Sequence, residues 1–180
     1  MRVLLTHPPG SPHYTIPPLG LLYLAGTLRA AGHDVALHDA TVAGASDAAF
    51  VRRLRRFRPE LWGLSACTNQ MASAQRWAAL TRHHTPAAVR VLGGAHVSAW
   101  PKAVSEGDGV FHWGVVGEGE GPLTELAAAN GHPHRATRPR GLVASGDPAC
   151  AVDPAAAWHA LDLDALPLPA WDLAAPVTYR

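Results

Sequence analysis

The amino-acid sequence predicts an α/β domain built on a doubly wound, five-stranded parallel sheet with helices on both faces. Three observations predict it. Short apolar runs rich in β-branched residues alternate with segments whose apolar residues recur at helical spacing. Each run hands over to the next helix through a cluster of Gly, Pro, Ser, Thr or Asn. At 180 residues and 48% apolar composition, the chain can bury one sizeable core. A crossover between parallel strands must return across the sheet with one hand, which places helices on both faces.

The elements follow in order. The first run, residues 2–6, leads through His7, Pro8, Pro9 and Gly10 into a helix over residues 18–31, which Gly32 caps. The second run, 34–38, precedes a helix that Ser46 or Asp47 caps and Pro59 ends. The third, 61–65, is followed by a helix over 69–84. The fourth, 88–92, closes on Gly93 and Gly94, and Pro101 starts a short helix at the position proline favours. The fifth run spans 109–116, and 122–130 reads as the last helix, with Gly131 as its stop signal. Residues 141–145 form a small extra strand. From Asp147 the pattern turns irregular and Pro-rich, with Asp162, Asp164, Pro167, Pro169, Trp171 and Pro176, and reads as a linker. The whole is a Rossmann-like, flavodoxin-like arrangement, which binds ligands at the carboxyl ends of its strands.

Composition excludes several classes of partner. The formal net charge is +1, and the run Arg52, Arg53, Arg55, Arg56 and Arg58 has helical spacing around Val51, Leu54 and Phe57. That is a solvated helix face, so no nucleic-acid partner is expected. The apolar stretch over 19–31 is interrupted by Gly26, Thr27 and Arg29 and falls short of the roughly 20 residues a membrane span needs, so no membrane partner is expected. Cys67 and Cys150 lie far apart with no signal-like segment before them, which fits a reducing, cytoplasmic setting.

Four turns at strand carboxyl ends should ring one crevice: residues 7–10, 65–70, 93–97 and 117–121. Small residues there let the backbone approach a large ligand, and Ser65, Thr68, Asn69 and Gln70 offer neutral hydrogen-bonding groups. Gly117, Gly119 and Gly121 do not make a dinucleotide fingerprint. A pyrophosphate loop follows the first strand, whereas this one follows the fifth and interposes Glu118 and Glu120, whose carboxylates repel phosphate. An FMN or nucleotide enzyme would also need a phosphate-binding loop that the sequence lacks. Of the eleven histidines, most read as solvent-facing, and His96 alone should point into the crevice. Cys67 reads as a small packed thiol at its edge.

Three segments in order carry a family resemblance. Pro17-Pro18-Leu19-Gly20-Leu21-Leu22-Tyr23-Leu24-Ala25 with Gly32-His33-Asp34-Val35, then Val91-Leu92-Gly93-Gly94-Ala95-His96, then Val115-Val116-Gly117-Glu118-Gly119-Glu120, resemble the cobalamin-binding N-terminal domain of cobalamin-dependent radical S-adenosylmethionine (SAM) methyltransferase-like proteins. Residues 161–173 look like the segment by which that family enters its radical SAM barrel.

The resemblance implies a cobalamin-binding domain over residues 1–146 and a linker over 147–180 leading into a radical SAM domain. The Cys-x-x-x-Cys-x-x-Cys run that holds the family's iron-sulfur cluster and SAM is not in these residues, so both cofactors belong to that further domain and no catalytic residue is expected here. Nor is there an Asp-x-His-x-x-Gly; Asp108 and His112 lack its spacing and its glycine. This implies cobalamin bound with its own base displaced, and no protein imidazole or other metal ligand on cobalt. By the same resemblance, Ser65 and Thr68 lie near the nucleotide tail or lower corrin face, and Gly93 and Gly94 leave room for it. Asn69 or Gln70 lies beneath cobalt without ligating it. His96, Val97, Gly117, Glu118 and Gly119 border the tail or corrin rim, and Thr6, Pro8 and Pro9 complete the wall. The alternative is a stand-alone cobalamin-binding or regulatory module that docks on a separate catalytic subunit through Trp158, Trp171 and the Pro-rich tail.

Overall fold

The computed structural model describes residues 1–9, 16–134, 138–147 and 162–174. Gly10, Cys150 and Trp158 lie outside the described residues. A six-stranded sheet runs in the order β2-β1-β3-β4-β5-β6, with β1 Arg2–His7, β2 Asp34–Asp39, β3 Leu61–Ser65, β4 Val89–Gly93, β5 Trp113–Val115 and β6 Leu142–Ala144. The first five strands are parallel, as their alternation with helices requires; β6 is a sixth, antiparallel edge strand paired with β5. The sheet therefore exceeds the expected five parallel strands by the small extra strand of the tail.

Both faces of the sheet are covered, which is why its strands are apolar along their whole length rather than alternating. On one face Leu4, Trp62, Leu64 and Leu92 pack against α3 (Asp47–Phe57) and α4 (Met71–His84), where Phe50 stacks on Trp77 with ring centroids 4.3 Å apart. Two short helices, α5 (Ala95–Ala99) and α6 (Lys102–Ser105), extend this layer through Val97 and Val104. On the other face Val3, Leu5, Leu61, Val89, Val91 and Val115 meet α1 (Leu19–Ala30) and α7 (Glu120–Ala128) through Leu21, Ala25, Leu28, Leu123 and Leu126.

Local chemistry sets the boundaries. Ser46 Oγ accepts the Ala49 amide at 3.2 Å and caps α3, which ends at Arg58 in the left-handed region before Pro59. Asp39 accepts the Thr41 amide and caps a single turn, α2 (Ala40–Ala43), that periodicity cannot reveal. Residues Thr68–Gln70 form a 3-10 turn, so α4 starts at Met71 rather than at 69. Helix α7 starts two residues before Pro122, which sits in the first turn where its missing N–H costs no hydrogen bond. Strand β5 is far shorter than residues 109–116. Asp108 Oδ1 accepts the Val110 amide at 3.0 Å, Gly109 has φ +74°, and the buried Arg90 side chain holds the resulting bend through Val110 O and His112 Nε2.

The described part of the tail is not free of the domain. Ala170 N donates to Leu22 O at 3.0 Å, Arg29 Nη1 donates to both carboxylate oxygens of Asp172 at 2.7 and 2.9 Å, and Ala170 and Ala174 are buried. Gly26 makes this possible, because a Cβ there would collide with the Leu168 carbonyl. Among the described residues no helix is long and apolar enough to cross a membrane.

Candidate functional site

Strand register builds the floor of a cavity of about 160 Å³ at the carboxyl end of the sheet, on its α1/α7 face. Leu5, Gly63 and Val91 are cross-strand neighbours, and one step further along Ser65 pairs with Gly93. Because strand side chains alternate, residues two apart on β3 point the same way, and this face carries Gly63 and Ser65. Gly63 leaves its place in the floor empty; a Cβ there would stand 3.1 Å from a Leu5 methyl. Gly20, Leu21 and Leu24 of α1 and Leu123 of α7 form the roof.

Glycines shape the mouth. Gly94 has φ +92° and Gly117 has φ +77°, a region that side chains rarely enter. The Gly117 amide is held by Ser98 Oγ at 3.0 Å, and Gly119 lets the start of α7 close on Leu24, 3.0 Å from where its Cβ would be. Glu118 is exposed at the rim, whereas Glu120 is only 8% exposed and lines the cavity with Oε2 lacking a hydrogen-bond partner among the described residues. Burial pushes the Glu120 carboxyl above the ordinary carboxylate range, against the backbone amides of Glu120 and Gly119, and the Glu118 charge adds to the rise.

Six of the residues expected at the site line this cavity: Ser65, Gly93, Gly94, Gly117, Glu118 and Gly119. The others lie elsewhere. Thr6 is fully buried toward the opposite face, where its hydroxyl accepts Trp62 Nε1–H at 2.8 Å, and Val97 is a core residue packed against Gly114. Thr68 and His96 bond each other at 3.1 Å and border a separate groove with Met71, Gln75 and Trp100. Asn69 is exposed, and Pro9 lies on another face beside Asp47 and Trp77.

Gln70 and Pro8 belong to a lock between loops. Gln70 Oε1 accepts the Cys67 amide at 2.9 Å, and its Nε2 donates to Pro8 O at 3.3 Å beside His7 Nε2. His7 Nδ1 in turn lies 3.1 Å from Asp39 Oδ1, so the loops after β1, β2 and β3 are joined in one chain of contacts. Cys67 is exposed on this loop, not packed, because its neighbours turn the 3-10 segment outward.

Gly63 and the apolar residues Leu5, Val91, Val115 and Leu123 also line the cavity without having been expected there, and Glu120, expected only within the 117–121 turn, was not assigned a binding role. Sequence reasoning also missed His38, which is buried between Phe50 and Trp77 with ring centroids 5.5 and 5.4 Å away. Among the described residues no group of His, Cys, Asp or Glu side chains could hold a metal ion.

Comparisons with known proteins show what the chain as a whole is similar to. The sequence model of a family described as B12 binding domain matches residues 10–127. The chain is 34% identical over 137 residues to the anaerobic magnesium-protoporphyrin IX monomethyl ester cyclase of Synechocystis sp., covering 72% of this chain and 28% of that protein. It is 32% identical over 124 residues to the cytidylyl-2-hydroxyethylphosphonate methyltransferase of Streptomyces wedmorensis, covering 57% of this chain and 22% of that one. Among solved structures, the radical S-adenosylmethionine methyltransferase TsrM from Kitasatospora setae superposes with a TM-score of 0.67 at 27% identity, over 78% of this chain and 28% of that chain. The chain thus spans less than a third of the length of each of these proteins.

Proposed function

The chain belongs to the B12-binding domain family, and from that premise we propose that it binds cobalamin base-off, without a protein imidazole on cobalt, as the cofactor domain of a cobalamin-dependent radical SAM methyltransferase. The observation that carries this reading is the cavity. A base on a flexible arm needs a narrow apolar slot that opens at a polar rim. The row Leu5, Gly63, Val91 under Leu21, Leu24 and Leu123 is such a slot, and Ser65, Gly93, Gly94 and Gly117 form a rim on which no large side chain stands in the way.

Ser65, Gly93, Gly94, Gly117, Glu118 and Gly119 would hold the arm and the adjacent edge of the corrin. Bound cobalamin would supply a cobalt centre able to accept and donate a methyl group, with the protein providing binding and orientation. Two imidazoles lie near the carboxyl edge of the sheet, each already bonded to a neighbouring side chain. His7 is held by Asp39 and faces Gln70, and His96 is held by Thr68 outside the cavity. The iron-sulfur cluster and SAM belong, in this reading, to a radical SAM domain reached through residues 147–180. Leu163, Leu168 and Trp171, exposed on the segment that lies along α1, offer an apolar surface to that domain or to a separate catalytic subunit.

The purified chain is mixed with hydroxocobalamin and desalted, and its absorption spectrum is recorded. Near-stoichiometric retention with a base-off spectrum is expected, and the reduced cobalt(II) form should show no nitrogen splitting from an axial imidazole in its electron paramagnetic resonance. Loss of all cobalamin on desalting would overturn the assignment.

A further inference from the structure

Glu120 stands out in the cavity. It is the buried carboxyl of the slot, 8% exposed, and its Oε2 finds no partner among the described residues. A buried polar atom left without a hydrogen bond destabilises the fold, so a residue kept in that condition points to a partner that arrives with a ligand. The carboxyl's contacts with the backbone amides of Gly119 and Glu120 at the start of α7 still leave Oε2 without a partner among the described residues.

Resting on the reading of this cavity as the nucleotide slot of cobalamin, we propose that Glu120 is the specificity residue for the nucleotide arm, its carboxyl hydrogen-bonding a nitrogen of the base or a hydroxyl of the ribose. Two features of the site support this. The slot around Glu120 is otherwise apolar, lined by Leu5, Leu21, Leu24, Val91, Val115 and Leu123, so none of these side chains competes for the arm's polar atoms. Burial raises the carboxyl's pKa, so the charged form that would repel the arm's phosphate is disfavoured. Glu118, two residues earlier at the exposed rim, has no such enclosure.

The test compares cobalamin with cobinamide, which keeps the corrin but lacks the nucleotide arm, on the full chain. Binding is titrated by absorption for the unchanged protein, Glu120→Leu and Glu120→Gln, with urea midpoints recorded for each. The expected result is that Glu120→Leu weakens cobalamin binding about tenfold, the loss equivalent to about 1.4 kcal/mol, while cobinamide binding stays within about twofold. Glu120→Gln, which keeps a donor and an acceptor, should restore most of the loss. A cobamide with a different lower base then separates the two contacts: a changed Glu120→Leu penalty assigns the base, an unchanged one the ribose. Equal losses for cobalamin and cobinamide, or no loss for either, would overturn the proposal. If the unchanged chain bound neither corrinoid, the cobalamin reading itself would fall, an outcome distinct from both.

Discussion

Gly94 lies directly against Ser65: a Cβ on Gly94 would stand 2.7 Å from Ser65 Oγ and 2.8 Å from both the amide and the carbonyl of Ala66. The loops after β3 and β4 are sewn together at this point, with Ala66 N donating to Gly93 O at 3.0 Å and His96 N to Ala66 O at 3.1 Å. Backbone atoms cannot yield as a flexible side chain can, and φ +92° is itself strained for any other residue. Gly94→Ala should therefore destabilise the domain by at least about 2 kcal/mol and abolish cobalamin retention. Gly121→Ala is the control. A Cβ at 121 meets nothing within 4 Å, so the gain in helix propensity should leave stability unchanged or raised by up to about 1 kcal/mol. Urea denaturation of both variants checks this, and equal midpoints would refute it.

Gly63 separates folding from binding. Its neighbour is the far end of the Leu5 side chain, which can shift by a few tenths of an ångström, and β-branched residues suit strands. Gly63→Val should cost no more than about 1–3 kcal/mol of stability while filling the slot. Cobalamin binding should weaken at least about tenfold, on the scale where tenfold is about 1.4 kcal/mol, with cobinamide little affected. Undiminished cobalamin binding in a titration would mean that the arm does not enter this cavity.

Much of the fold was legible in the sequence because parallel strands buried on both faces leave long apolar runs, and because Ser46, Pro59, Gly32 and Gly131 mark ends through backbone chemistry that acts locally. The small extra strand was legible too, but its antiparallel pairing with β5 depends on a register no local pattern encodes. The rim of the site was legible as glycines after strand ends. Its floor was not. Gly63 within Leu61-Trp62-Gly63-Leu64-Ser65 looks like a weak strand residue until register sets it between Leu5 and Val91. Glu120 reads, like Glu118, as a carboxylate between glycines that repels phosphate, and its burial at the start of α7 is set by tertiary packing.

His38 makes the domain acid-sensitive. Burial, then the Arg53 charge, outweigh the opposing effect of Asp39 and lower its pKa from 6.5 to about 4, and its Nε2 has no partner among the described residues. The folded state thus holds the neutral imidazole more tightly than the unfolded chain does. This contribution is fully present above pH 6.5, is lost as pH falls from 6.5 toward 4, and levels off below. The shift corresponds to about 3 kcal/mol. Urea midpoints between pH 7.5 and 4.5 should fall along this curve, and His38→Leu should flatten it while carboxylate effects persist. An equally steep curve in the variant would show that another group governs the acid branch.

Gly26 sets two effects against each other. Alanine in the middle of α1 gains about 1 kcal/mol of helix propensity over glycine, but its Cβ would collide with the Leu168 carbonyl, a backbone atom that can move only if the segment moves. The helix is anchored to the sheet by Leu21, Ala25 and Leu28, whereas the segment is held by the Ala170 hydrogen bond, two small buried side chains and the exposed Arg29–Asp172 pair. Exposed ion pairs contribute little, so the segment should yield first. Gly26→Ala should leave the urea midpoint of the α/β core unchanged or raised, yet speed chymotryptic cleavage after Trp171 and Leu173 about tenfold or more, as expected when a docked segment opens at a cost lower by about 1.4 kcal/mol. Unchanged cleavage with a lowered midpoint would mean that the helix, not the segment, gives way.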